Sequence, residues 1–297
     1  MGKIYTLFNP ISANMHGEEK AEKIKQFFPN DTVEFLNITS LDYDAFINNL
    51  AYDDTVIICG GDGTLNRFVN AIYDKELKNE ILYYATGTGN DFLRDIGKNV
   101  DNGPVKVNDY ISNLPVVTVK GKSYRFINGI GFGIDGYCCE VGDRLRSSNA
   151  KKINYTTIAI KGLLFHYKPT NATVTVDGVE HKFKKVWIAP TMSGRYYGGG
   201  MLPAPEQRRE DRGDHVSLSI LYGTGKLKTL LIFPSLFKGE HIKHTKHATV
   251  LAGKNITVEF DRPVALQIDG ETILNVSRYE VQLASVYEKH KAQEIKA

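Results

Sequence analysis

The feature that most constrains this chain is an apolar strand running directly into a glycine-rich turn and then an amphipathic helix. Thr55–Cys59 is apolar at almost every position, the pattern of a strand covered on both faces. Gly60-Gly61-Asp62-Gly63-Thr64 follows, and Leu65, Phe68, Val69 and Ile72 then recur at i, i+3, i+4 and i+7, one face of a helix. A strand buried on both sides needs helices above and below it, which excludes an isolated hairpin or a helical bundle. The flanking sequence supplies them. Lys3–Phe8, Thr32–Asn37 and Ile81–Ala85 read as further strands. Glu18–Phe28, Leu41–Leu50 (with Ser40 as its cap) and Asp91–Ile96 (closed by Gly97) read as helices. Alternation of this kind predicts a mostly parallel, twisted sheet with helices on both faces.

The punctuation changes after about Leu114. Val116–Val119 and Ser123–Ile127 flank Lys120-Gly121-Lys122, and Ala172–Val176 and Val179–Phe183 flank Asp177-Gly178, both hairpin signals. More strands are expected at Val186–Ala189, Val216–Leu221, Ile256–Phe260, Ala265–Ile268 and Tyr279–Val286, with helical interruptions near Asn149–Phe165 and Lys226–Phe237. The 297 residues, at about 150 per domain, therefore divide into an α/β domain over 1–115 and a β-rich, mostly antiparallel domain over 116–286.

Several function classes are excluded early. Hydrophobic residues at 42% and charged residues at 24% are ordinary globular values, so disorder is not expected. A net charge of +3 with no reading motif argues against nucleic acid. Cys59, Cys138 and Cys139 form no C-x-x-C, so zinc and thiol-redox motifs are absent. The apolar runs near Thr156–Phe165 and Leu227–Phe237 are too short and too interrupted to span a membrane, and no secretion signal opens the chain. Met1–Thr6 fits a myristoylation pattern, but the same residues read better as the first strand. The expected location is cytoplasmic.

The glycine turn carries the first chemistry. Gly60, Gly61 and Gly63 let the backbone approach a ligand, and the helix start behind them offers N–H groups suited to phosphate. A Walker A loop is absent because no Gly-Lys-Ser/Thr follows, and G-x-G-x-x-G is absent because Asn66 stands at its last position. Asp62 in such a turn suggests a metal cation or a ribose. Thr86-Gly87-Thr88-Gly89-Asn90-Asp91 repeats the arrangement after the next strand, and Asn9-Pro10 follows the first. Three such turns at the carboxyl ends of neighbouring strands would form one nucleotide crevice.

In order and spacing, GGDGTLN (60–66), GTGNDF (87–92), GGGM (198–201) and DGE (269–271) resemble the bacterial diacylglycerol kinase and sphingosine kinase superfamily. GGDGT alone is shared with NAD kinases; the later motifs are specific to the lipid kinases. The resemblance covers nearly the whole chain. It implies a Rossmann-like (NAD kinase-like) α/β domain with a second, β-rich sandwich domain, the last segment, 287–297, returning to the first. It also implies ATP and Mg2+ as cofactors, with ATP on Asn9, Gly60, Gly61, Gly63, Thr64, Asn66, Thr88, Gly89 and Asn90. Asp62 would face the catalytic Mg2+, Asp269 would be the general base and Glu271 would lie beside it. A second Mg2+ would sit on Asp211, Asp214 and the carbonyl of Val216. The plain alternatives are a hairpin turn for Asp269-Gly270 and a solvated charged loop for Asp211 and Asp214.

Three positions depart from the family pattern: Arg67 for the usual Glu, Ala85 for a common Pro, and Ala13 for a Gly. His241, His244 and His247, among Lys238, Lys243 and Lys246, read as a basic, solvated surface that could meet anionic headgroups. The lipid acceptor is expected near Gly129–Asp135 and Tyr196–Met201. The resulting expectation is a lipid kinase acting on a hydroxyl, foremost that of diacylglycerol, peripheral at the inner membrane face and compatible with a homodimer. An NAD kinase-like enzyme with a soluble acceptor and a non-catalytic nucleotide-binding regulatory module are the alternatives.

Overall fold

Short apolar strands alternating with helices produce the parallel sheet that the pattern predicts. β1 (Ile4–Phe8), β2 (Val33–Asn37), β3 (Thr55–Gly60) and β4 (Glu80–Ala85) run parallel, and β5 (Val105–Lys106) is antiparallel at the edge. The strand order is β2-β1-β3-β4-β5. The computed structural model describes residues 2–10, 12, 16–75, 77–87, 89–148, 153–209 and 214–294. Backbone contacts group the chain into two units, Met1–Ser112 and Asn113–Ala297.

In the first unit the helices are α1 (Gly17–Glu22), α2 (Tyr43–Asn48), α3 (Asp62–Ile72), α4 (Asp91–Asp95) and α5 (Asn108–Ile111). Ile4, Phe8, Ile57, Cys59 and Leu82 pack with Ala21 and Ile24 on one face of the sheet. α3 buries the expected stripe of Leu65, Phe68, Val69 and Ile72. Two local expectations change. α1 ends at Glu22 and tightens into a 3-10 turn over Lys23–Gln26, so the helix expected to reach Phe28 stops short. The cap of α2 is Asp42, whose carboxylate accepts from Ala45 N at 3.0 Å, while the Ser40 hydroxyl turns back to Asn37 O at 3.4 Å.

The second unit is built on a large antiparallel sheet. Its strands are β6 (Val116–Val119), β7 (Lys122–Arg125), β8 (Gly129–Gly133), β9 (Thr170–Val176), β10 (Val179–Val186), β11 (Ile188–Met192), β12 (Val216–Leu221), β13 (Ala248–Gly253), β14 (Asn255–Ile268) and β15 (Glu271–Gln282). The main path runs β13-β12-β11-β8-β14-β15-β6-β7, with β9 joining β14 and β10 joining β9. The helices are α6 (Ile134–Ser147), α7 (Tyr155–Lys161), α8 (Lys226–Ile232) and α9 (Ala284–Glu294). α7 runs on into a π-helical turn, Gly162–His166, and α8 into a 3-10 segment, Phe233–Lys238. Both predicted hairpins form, with Lys120-Gly121 (φ 50° and 74°) and Asp177-Gly178 (φ 47° and 88°) at their tips. The start of α9 is tied to this unit by an Arg125–Glu288 ion pair at 3.3 Å.

Two expectations are corrected here. Ile256–Phe260 and Ala265–Ile268 are one strand, β14, which changes partner from β9 to β8 along its length. The last strand ends at Gln282 and a helix follows, so Tyr279–Val286 is strand only in its first half. Gly129–Asp135, where the acceptor is expected, forms β8 and the start of α6.

Candidate active site

β1, β3 and β4 are neighbours and parallel, so their carboxyl ends open on one edge of the first sheet. The order of strands reverses between β1 and β3, the position at which open α/β sheets leave a crevice. Asn9 follows β1, Gly60–Thr64 follows β3, and Thr86–Asn90 follows β4. The structure thus brings together the described nucleotide-site candidates Asn9, Gly60, Gly61, Gly63, Thr64, Asn66, Gly89 and Asn90. Thr88 lies outside the described residues.

The two glycine turns are pressed against each other. A Cβ on Gly87 would lie 3.0 Å from Gly61 Cα and 3.3 Å from Gly61 N, tight enough that the facing turn would have to give way by a few tenths of an ångström. Thr86 N donates to Gly60 O at 2.9 Å, and Lys20 Nζ reaches Thr86 O at 2.9 Å. Two polar atoms of this loop, Thr86 Oγ1 and Asn90 Oδ1, are buried without a hydrogen-bond partner. Such groups cost stability unless something pairs with them.

Asp62 is the first residue of α3, with extended Gly61 as its N-cap. Its Oδ2 accepts from Asp91 N at 2.9 Å and Phe92 N at 3.2 Å, while the Tyr83 hydroxyl donates to Oδ1 at 3.4 Å. A carboxylate facing the first N–H groups of α4 is favoured by that helix end. Asp62 therefore clamps one loop to the other, a task not legible from its motif. Burial, and then Asp62 itself, push the Tyr83 phenol far above its usual range. Arg67 is exposed on α3 and its charge acts on Tyr43.

In the second unit Asp269 and Gly270 form the tip between β14 and β15, at φ 45° and 91°. The plain hairpin turn is therefore present, yet the half-buried carboxylate accepts three backbone N–H groups. Ile127 N donates to Oδ2 at 2.5 Å; Asn128 N and Gly129 N donate to Oδ1 at 2.9 Å each. Burial raises the Asp269 carboxyl above its ordinary range, opposed by those N–H groups and by the Arg209 charge. Arg209 is itself buried and holds the same row, donating to Ile127 O and Asn128 Oδ1 at 2.6 Å each. Glu271 opens β15 opposite Ile268 and is exposed.

A further acid was not singled out from sequence. Asp135 lies in the first turn of α6, is 7% exposed, and stands among the apolar cluster of Ile134, Cys138, Trp187, Met192 and Tyr197. Its Oδ1 has no hydrogen-bond partner, and the Tyr197 hydroxyl donates to Oδ2 at 3.3 Å. Desolvation pushes this carboxyl up to about 7, against the opposing pull of Gly136 N–H, Tyr197 and Gln267. The GGGM motif explains the Tyr197 position. Gly198, Gly199 and Gly200 all take positive φ (62°, 82° and 103°), and the loop closes through paired bonds between Tyr197 and Met201.

The metal candidates are less complete. Asp211 lies outside the described residues; Asp214 is exposed in the approach to β12, and Val216 is its buried first residue. Among the described residues no group of three His, Cys, Asp or Glu side chains is placed to hold a metal ion. The histidine reading changes as well. His241 is buried, with Nε2 near Ser219 Oγ (3.1 Å) and Pro203 O (3.0 Å), and burial lowers its pKa. Only His244 of the three is open to solvent, and His247 pairs with Lys228 at 2.7 Å.

Comparison with known proteins agrees with this geometry. Residues 3–115 match the family model described as the diacylglycerol kinase catalytic domain, and 128–282 match the YegS C-terminal NAD kinase beta sandwich-like domain. A diacylglycerol kinase of Mycobacterium tuberculosis (strain ATCC 25618 / H37Rv) is 25% identical over 272 residues, covering 87% of this chain and 85% of that protein. A solved diacylglycerol kinase from Bacillus anthracis str. Sterne superposes with a TM-score of 0.59 at 17% identity, covering 95% of both chains. Another solved chain from that organism reaches 0.66 at 18% identity, covering 95% of this chain and 93% of its own. Among the described residues no helix is long and apolar enough to cross a membrane. With its two halves matched in order by these domains, the chain belongs to the diacylglycerol kinase-like family of lipid kinases, whose acceptor is an alcohol.

Proposed function

We propose that this protein transfers the γ-phosphate of ATP to the hydroxyl of a lipid alcohol, foremost diacylglycerol, giving phosphatidic acid. The observation that carries the reading is the pair of interlocked glycine turns at the β3 and β4 ends, with Thr86 Oγ1 and Asn90 Oδ1 buried and unpartnered beside them. A nucleotide bound along that edge would supply the missing partners. Asn9, Gly60, Gly61, Gly63, Thr64, Asn66, Thr88, Gly89 and Asn90 line it in this proposal.

The donor set fits Mg2+ carried on the nucleotide better than a cage of protein ligands, since one or two carboxylates with phosphate oxygens and water suffice for this ion. Asp62 would face it, and when bound it would neutralise phosphate charge. Asp211, Asp214 and the Val216 carbonyl remain the proposed second site. Asp269, raised by burial and oriented by three N–H groups, would take the proton of the attacking hydroxyl at its carboxylate, with Glu271 beside it. A placed base of this kind contributes about 10²- to 10⁴-fold. Asp135 and Tyr197 would hold a polar group of the acceptor within the apolar cluster around Trp187.

One observation favours a second reading, a non-catalytic regulatory module. Both Asp62 and Asp269 already serve as acceptors for backbone N–H groups, so each has a structural task. The test is transfer from γ-labelled ATP with Mg2+ to diacylglycerol, sphingoid base, monoacylglycerol, phosphatidylglycerol and NAD, with Asp269→Asn alongside. Label in a lipid, lost in a folded Asp269→Asn protein, supports the kinase reading. Label in NAD alone overturns the lipid acceptor, and ATP binding with transfer to none overturns catalysis.

A further inference from the structure

The second unit carries an exposed apolar face that neither its core nor its site uses. On α8, Thr229 and Ile232 are buried, whereas Leu227 and Leu231, one turn apart, are 73% and 81% exposed. α8 packs against the π-helical turn Gly162–His166, and Lys226 Nζ bonds Leu164 O at 2.8 Å. That turn holds Phe165 at 71% exposure. Leaving three large apolar side chains on adjoining segments in water is unfavourable and marks an interaction surface.

The charge around this face selects the occupant. Residues 153–168 and 226–247 together contain seven lysines (161, 168, 226, 228, 238, 243 and 246) and a single acidic residue, Glu240. Glu240 is already paired with Lys243 at 2.8 Å. A second copy of the chain would bring two such lysine-rich faces together without counter-charge. An apolar face with lysines around it is what binds in the plane of an anionic bilayer, burying the apolar residues below the headgroups.

We propose that α8 and the π-helical turn dock this protein on an anionic lipid surface, with Leu227, Leu231 and Phe165 entering the bilayer and the lysines meeting its headgroups. This places the contact on an apolar helix face, where the sequence had suggested only the basic segment 238–247. It deepens the lipid-acceptor reading, but vesicle binding without nucleotide tests it separately from transfer.

The experiment is co-sedimentation of the full chain with phosphatidylcholine vesicles, with and without phosphatidylglycerol. Leu227→Gln/Leu231→Gln and Lys161→Glu/Lys238→Glu would be compared with Val179→Gln, which alters an exposed apolar residue on β10. All substituted side chains are exposed, and circular dichroism checks folding. The parent chain should bind the phosphatidylglycerol vesicles and lose binding in high salt. The leucine pair should weaken binding by about tenfold or more, the lysine pair should weaken it at low salt, and Val179→Gln should leave it unchanged. Absence of vesicle binding by the parent, or unchanged binding by the leucine variant, overturns the proposal. A leucine variant that changes sedimentation from dimer to monomer with vesicle binding intact assigns the face to self-association instead.

Discussion

Replacing Asp135 by Asn should stabilise the second unit at alkaline pH far more than at acid pH. The folded carboxyl is raised by burial to about 7 from an ordinary value of 3.8. A group raised in the folded state carries no penalty below its unfolded range; the penalty grows as pH rises and saturates above the folded value. The gap of roughly three pH units corresponds to about 4 kcal/mol when ionisation is complete. About 2.5 kcal/mol of that develops between about pH 5 and about pH 8. Asp135→Asn keeps the shape and the acceptor for Tyr197 while removing the ionisation. Urea unfolding followed by the fluorescence of Trp187 is the assay, because this is the only tryptophan of the chain and is buried in the cluster around Asp135. At about 1–3 kcal/mol per molar urea, the midpoint gain of the variant should be larger by about 1 M at pH 8 than at pH 5. Equal gains at the two pH values would show that Asp135 ionises normally in the folded chain and that its burial does not hold it neutral.

Three further substitutions probe the site. Gly87→Ala places a methyl group 3.0 Å from Gly61 Cα; it should cost about 1–3 kcal/mol and weaken ATP binding, read by urea midpoint and calorimetry. Arg209→Met removes both 2.6 Å bonds to the Ile127–Asn128 segment and should cost about 3 kcal/mol, with transfer falling as the Asp269 cradle loosens. Wild-type stability would refute that positioning role. Asp62→Asn weakens the acceptor of Asp91 N and Phe92 N; a loss of about 1 kcal/mol should accompany loss of transfer. Intact transfer would reduce Asp62 to a helix cap.

The first unit was legible because its signals are local. Strands β1 to β4 are short apolar runs, and the α3 stripe from Leu65 to Ile72 repeats at helical spacing. The second unit was harder where glycine hid the pattern. β8 reads GIGFG, poor in β-formers, yet all five residues are buried between β11 and β14. α6 has Ile134, Cys138, Val141 and Leu145 at i, i+4, i+7 and i+11, a helical stripe hidden by the glycines around it. The motifs located Asp62 and Asp269 but not what holds them. The clamp from Asp62 to the start of α4 and the buried fork of Arg209 join residues far apart in sequence, and no spacing rule encodes such contacts. Asp135 escaped for a different reason: a lone Asp looks solvated until the tertiary structure buries it.

The irregularity in β14 has a consequence for how the chain tolerates change. Phe260–Pro263 stand opposite the single residue Ser277. The surplus segment is moored by Asp261 to Thr170 and Asn171, and by Arg262 to Lys168 O. Side chains alternate along a strand, so a one-residue slip in a regular β14 would turn Gln267 to the opposite face and shift the Asp269 tip out of its cradle. Here the surplus residues act as slack. A change of length or register in the β9–β10 hairpin is absorbed between Glu259 and Val264 before it reaches Leu266, where pairing with Phe132 of β8 resumes. Insertions in the β9–β10 hairpin should therefore be tolerated, while the same insertion between Leu266 and Asp269 would displace the carboxylate.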